Sequence, residues 1–202
     1  MQTEFFKEIM ERMTESLGFY RYQLETYQKT GVLTSLFVDP ENPDDFIAGY
    51  VAHVNRTQVL LYAVSPVGRY DGLLACRLNQ ISTIMGEDDY SMRLRRLLLL
   101  RRDMPKEQID VQPEEDIFHA MCRKAAAEDR VITIWIGEAE YAGRVRALDD
   151  MRVTIGVLDF FGTNPADVPL AFRQIDMASI GAEDDEMYQL LSDNGLPDEK
   201  EL

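Results

Sequence analysis

Few residues of this chain could do chemistry of their own. The two histidines, His53 and His119, fall in a strand-like and a helix-like stretch, and neither has a Cys, His or carboxylate at metal-site spacing. Cys76 alternates with Leu74 and Leu78, which reads as a buried thiol and not a nucleophile; Cys122 lies far from it, with no CxxC pairing. There is no GxSxG, no phosphate-binding P-loop and no GxGxxG after a strand. The acidic runs GEDDY (86–90) and GAEDDEMY (181–188) offer carboxylates for a hard cation but lack calcium-loop spacing. They read instead as helix starts, with acids near the positive end of the helix dipole. No catalytic residue, metal or cofactor is therefore expected, and the chain is not expected to be an enzyme.

One basic segment stands out, YSMRLRRLLLLRRDMPK (90–106). Tyr90, Leu94, Leu97 and Leu98 make one helical stripe, flanked by Arg93, Arg95, Arg96, Arg101 and Arg102. Two readings stay open for it. It links two folded units and pairs its arginines with acids of the second, or it is a basic contact helix for RNA phosphate or a membrane surface.

The totals narrow the choice. With 202 residues and 46% hydrophobic content, the chain can bury a proper core. No apolar run reaches the length of a membrane span, and MQTEFFKEIMER is acidic where a secretory leader needs a basic start. Unpaired cysteines suit a reducing, cytoplasmic setting. The net charge of −15 is uneven: residues 1–103 hold 12 Lys/Arg against 14 Asp/Glu, residues 104–202 hold 9 against 22. Such acidity disfavours broad attraction to nucleic acid or anionic lipid and favours solubility.

What positions these residues is an internal repeat. QISTIMGEDDY (80–90) returns as QIDMASIGAEDDEMY (174–188). An offset of 94 carries Gly49 to Gly143, Val51 to Val145, Val59 to Val153, Leu61 to Ile155, Gly68 to Gly162 and Gln80-Ile81 to Gln174-Ile175 without a gap. Two inserted residues would then bring Glu87-Asp88-Asp89 onto Glu183-Asp184-Asp185.

Each copy reads as a helix followed by a β-meander. First strands are expected at Leu33–Val38 and Val131–Ile136, second strands at Phe46–Val54 and Tyr141–Leu148, and third strands at Gln58–Val64 and Arg152–Leu158. Fourth strands alternate through Leu74, Cys76, Leu78 and through Val168, Leu170, Phe172, and short fifth strands hold Ile81 and Ile84, or Ile175 and Ile180. Turns fall at Asn55-Arg56 and Asp149-Asp150, and Gly68 and Gly162 mark bends. The preceding helices carry Phe6, Met10, Met13, Leu17, Tyr20, Leu24 and Tyr27 in one copy and, from Pro113 on, Ile117, Phe118, Met121, Cys122 and Ala125 in the other.

A helix and then five short strands, with Gly143-x-Val145-x-x-x-Asp149 ahead of Val153, Ile155 and Val157, resembles the first motif of the Sm-like family. QISTI (80–84) is similar to the closing strand of the bacterial host-factor RNA chaperone, itself Sm-like. The resemblance implies an α+β, mainly β fold: two copies of an N-terminal helix plus a strongly bent, five-stranded antiparallel small barrel. It places the first unit at 1–90, a linker helix at 91–108, the second unit at 109–192 and a tail at 193–202. It also implies RNA contacts, carried over by position to Asn55, Arg56, Asn79, Gln80, Asp149, Met151, Arg173 and Gln174. The family's Lys-His pair is replaced by Leu78-Asn79 and Phe172-Arg173, and Pro169 sits inside the expected fourth strand of the second copy. The expected role is a non-catalytic binding or assembly module built on protein interaction or scaffolding. The alternative is an RNA-binding regulator acting through a ring or pseudo-ring. The expected partner is another protein or a further copy of the chain, as a homo-oligomer, with RNA as the alternative and no membrane.

Overall fold

The computed structural model describes residues 2–38, 46–163 and 166–194, with helix backbone alone for residues 2–15. Among the described residues, four helices accompany one ten-stranded antiparallel sheet. The first copy comprises α1 (Gln2–Thr30), β1 (Leu33–Phe37), β2 (Phe46–Val54), β3 (Gln58–Val64), β4 (Tyr70–Arg77), β5 (Thr83–Gly86) and α2 (Asp89–Arg101). The second comprises α3 (Ile117–Glu128), β6 (Val131–Ile136), β7 (Ala139–Leu148), β8 (Arg152–Val157), β9 (Ala166–Ala171), β10 (Met177–Ile180) and α4 (Glu183–Asn194). A single 3-10 turn joins the last two strands of each copy, Leu78–Gln80 and Phe172–Gln174.

The strand order is β5-β1-β2-β3-β4-β10-β6-β7-β8-β9, so both copies run in the same internal order and meet where β4 pairs with β10. This differs from two separately closed barrels. The ladders form one open sheet with β5 and β9 at its free ends.

The offset of 94 holds from the second strand of each copy onward, while the first strands match at 98, since Thr34 faces Gly49 as Ile132 faces Gly143; the two-residue insertion expected after Ile81 is absent. Gly49 faces Ala63 as Gly143 faces Val157, and the fifth strands and their helices also match at 94. Glu87 (φ 61°) therefore corresponds to Gly181 (φ 75°), both left-handed, and not to Glu183. The echo in the letters is displaced from the echo in the backbone. Different acids cap the two helices as a result: Asp88 accepts the Ser91 N–H at α2, and Asp185 accepts the Ala182 N–H at α4.

Close approach explains two glycine pairs. A Cβ at Gly49 would lie 2.5 Å from the Tyr62 carbonyl oxygen, and one at Gly143 2.2 Å from that of Gly156. Gly68 and Gly162, both at positive φ, press against Leu97 and Leu191 of the following helices.

The core has three parts. Leu24 of α1 packs with Leu36, Val59, Leu61, Cys76, Leu78 and Ile81, with Leu17, Tyr20 and Tyr27 at the margin; Phe6, Met10 and Met13 lie outside the described side chains. Leu94 and Leu98 of α2 cover Leu33, Ala48 and Val64. The largest part puts Ile117, Phe118 and Met121 of α3 against both Ile134 and Ile155 of the second copy and Leu60, Leu73 and Ala75 of the first. Helix α3 starts later than expected, after Asp116, whose carboxylate accepts the His119 N–H. The expected tail begins inside α4 at Asp193, and residues 195–202 lie outside the described residues.

Candidate functional site

The two copies are joined where β4 pairs with β10. Met177, Ala178, Ser179 and Ile180 pair with Cys76, Ala75, Leu74 and Leu73. The Arg77 N–H donates to the Asp176 carbonyl at 3.0 Å, so in the alternation of an antiparallel ladder Ala75 and Leu73 also turn their N–H and C=O groups toward β10. The Arg77 side chain then crosses the joint: Nε donates to the Ile175 carbonyl at 2.5 Å and Nη2 to that of Phe172 at 2.7 Å. Its guanidinium sits 5.4 Å from the Phe118 ring centroid. Gln80 donates to Asp176 at 2.9 Å, and the Asp71 carboxylate accepts the Glu183 N–H at 2.9 Å. Gly72 (φ 72°) lets the strands close, since a Cβ there would lie 2.4 Å from the Ile180 carbonyl oxygen.

The residues carried over from the family fall in two groups, one per copy. The Leu78 N–H donates to the Thr57 carbonyl, which sets Asn55 and Arg56 beside Asn79; the Phe172 N–H donates to the Met151 carbonyl, which sets Asp149 and Met151 beside Arg173 and Gln174. Asn55 is buried and fully engaged. Its amide donates to Gln58 Oε1 and to the Glu115 carbonyl, and its oxygen accepts from the Thr57 and Gln58 N–H groups. Gln58 Oε1 also accepts the Ile117 N–H at 2.8 Å, so the start of α3 is docked on this turn. Arg56, Asn79 and Gln80 are exposed in the first group, with Gln80 engaged by Asp176 at the joint.

In the second group Asp149 is exposed. Its carboxyl is held below the usual range by the Met151 N–H and then by the Arg152 side chain. Met151, Arg173 and Gln174 are exposed as well.

A cleft of about 800 Å³ opens beside the joint, between β4 and the segment after α2. Tyr62, Arg69, Tyr70, Arg101, Lys106 and Glu186 are among its lining residues. Burial pushes the Tyr70 phenol up to about 12, with Tyr50, Asp103 and Tyr62 adding to the effect. On the same wall Glu107 accepts from Lys124 at 3.1 Å and from Arg130. Burial pushes the Glu107 carboxyl up, but these two cations outweigh it and hold the group below its ordinary value.

The arginine helix does not do what a linker paired with acids would do. It lies on β1 of its own copy, and among the described residues none of Arg93, Arg95, Arg96, Arg101 or Arg102 forms an ion pair. All five are exposed, beside Met92, Leu99 and Leu100. Arg93 stands 5.9 Å from the Tyr90 ring centroid.

The other reactive side chains are structural. Cys76 and Cys122 are buried; burial pushes the Cys76 thiol up to about 12 and the Cys122 thiol up as well. His119 packs against Phe172, with Nδ1 3.5 Å from Glu115. Among the described residues no group of three or more His, Cys, Asp or Glu is placed to hold a metal ion, and no helix is long and apolar enough to cross a membrane.

Arg77, Gly72 and Asp176 were not singled out from the sequence. Gly72 had a readable signal, a glycine inside a strand pattern, which marks close backbone approach. Arg77 and Asp176 had none, because their roles depend on which strands meet. Comparison of the chain with protein-family models, with curated proteins and with solved structures finds no match, so the repeat and its joint carry the functional reading.

Proposed function

We propose that this chain is a non-catalytic binding or assembly module made of two Sm-like units, working through its sheet edges and helices in protein interaction or scaffolding. The observation that supports this reading is the β4–β10 joint. Its side chains and glycine are fitted to hold one strand against another, and a strand-addition joint is a protein-recognition device. The partner on this reading is another protein or a further copy of the chain. The test is affinity capture with the purified chain as bait and cross-linking to map contacts. The reading expects cross-links at β5, β9 or the outer faces of α2 and α4; reproducible capture of nothing but RNA would overturn it.

A second reading, RNA binding, is favoured by one observation, the exposed arginines of α2, which form no ion pair among the described residues. Affinity for single-stranded RNA would then fall steeply as salt rises, because each neutralised phosphate releases counterions. A flat salt response excludes it.

A further inference from the structure

The duplicated sheet supplies its own control, because β4 and β9 are the same strand in two copies, and so are β10 and β5. Within the chain β4 is joined to β10. At the free ends, β9 and β5 have no strand partner among the described residues.

Setting the free β9 edge against the joined β4 edge shows three changes. Pro169 replaces Ala75. The Phe172 N–H turns inward to the Met151 carbonyl, so by alternation Pro169 turns its nitrogen outward, where β4 offers an N–H to β10. The proline leaves the β8–β9 ladder intact and removes a donor only from the free edge. Ala166 replaces Gly72, the residue whose missing Cβ lets β10 close at 2.4 Å. Ala171 replaces Arg77, whose guanidinium ties two carbonyls across the joint.

The β5 edge has no such block. Ile84 and Gly86 correspond to Ala178 and Ile180 of β10, and both keep a backbone N–H facing outward. Thr83 and Met85 beside them are exposed.

We propose that strand addition to this molecule is one-sided: β9 is closed to it, and β5 accepts an extended strand from a different protein. That strand carries glycine, an unblocked N–H and arginine at the places of Gly72, Ala75 and Arg77. The chain's own free β9 offers none of these three, so copies do not chain through β9 and β5. The inference rests on the protein-binding reading and names which edge carries it.

Two measurements on the full chain test it. The first uses a peptide of the β4 sequence, YDGLLACR, and follows amide hydrogen exchange. With peptide at about ten times its Kd, exchange at Ile84 and Gly86 slows about tenfold while Asp167 and Ala171 are unchanged. A peptide of the β9 sequence, ADVPLA, protects neither edge. The second is light scattering of the A166G/P169A/A171R variant, which reopens β9: it assembles through β9 and β5, while the parent chain does not.

Protection at Asp167 and Ala171, no protection at β5, or assembly of the parent chain with both edges protected would overturn the proposal. Should the triple variant not fold, P169A alone and the peptide arm still decide it. A captured partner that the β4 peptide fails to displace defeats this inference and spares the protein-binding reading. β5 protection with no partner captured does the reverse.

Discussion

Arg77 shows how much one side chain can contribute to joining two copies. Truncation to alanine removes two charge-assisted hydrogen bonds and a contact with Phe118. We expect R77A to destabilise the chain by about 2 kcal/mol in urea denaturation. Asp185 makes a second residue-scale case. It is buried and accepts from the Thr133 and Ser179 hydroxyls and the Ala182 N–H. Burial raises its carboxyl above the ordinary range despite those donors. The folded chain then holds more protons than the unfolded one between the two values, so Asp185 lowers stability as pH rises through that interval. D185N should flatten that slope, and D185A should cost about 2 kcal/mol by orphaning three donors, both read from denaturation at several pH values. The sequence marked Asn55 as a contact residue, but the structure uses it to hold Glu115, sixty residues on. Position in a motif was legible; the segment that covers it was not.

Among the elements, the strands were the most readable, because alternation and turn residues mark them locally. β2 and β3 run over Phe46–Val54 and Gln58–Val64, the bounds expected from the sequence. The helix at 89–101 was less so. Its leucine stripe showed a buried face but not the surface that buries it, and the displaced acidic echo hid its equivalence to α4. Its arginines face outward, so reversing Arg93, Arg95 and Arg96 to glutamate should leave the urea midpoint nearly unchanged, since surface substitutions away from packed contacts cost little. The same variant should lose all salt-sensitive RNA binding in a filter assay if the RNA reading holds.

Across the whole molecule, two copies were visible in the sequence, but their shared core was not. Leu60, Leu73 and Ala75 of the first copy sit in one cluster with α3 and the second sheet half, so neither copy buries its apolar surface alone. Unfolding should therefore be a single transition. The lone tryptophan, Trp135, reports the second copy by fluorescence, and labelling of the buried Cys76 thiol reports the first. The two urea midpoints should coincide, and separate midpoints would show independent halves. No local pattern announces this coupling, because it arises between residues far apart in the chain.

Covalent fusion also changes what the chain is free to become. In an assembly of identical separate subunits, a proline written into one subunit's edge is written into every edge at once, and all contacts suffer together. Here the two copies are inherited separately. Pro169 stands at the outer β9 edge while Ala75 stands at the inner seam, so one sequence position can carry a proline in one copy without disturbing the strand pairing made by the other.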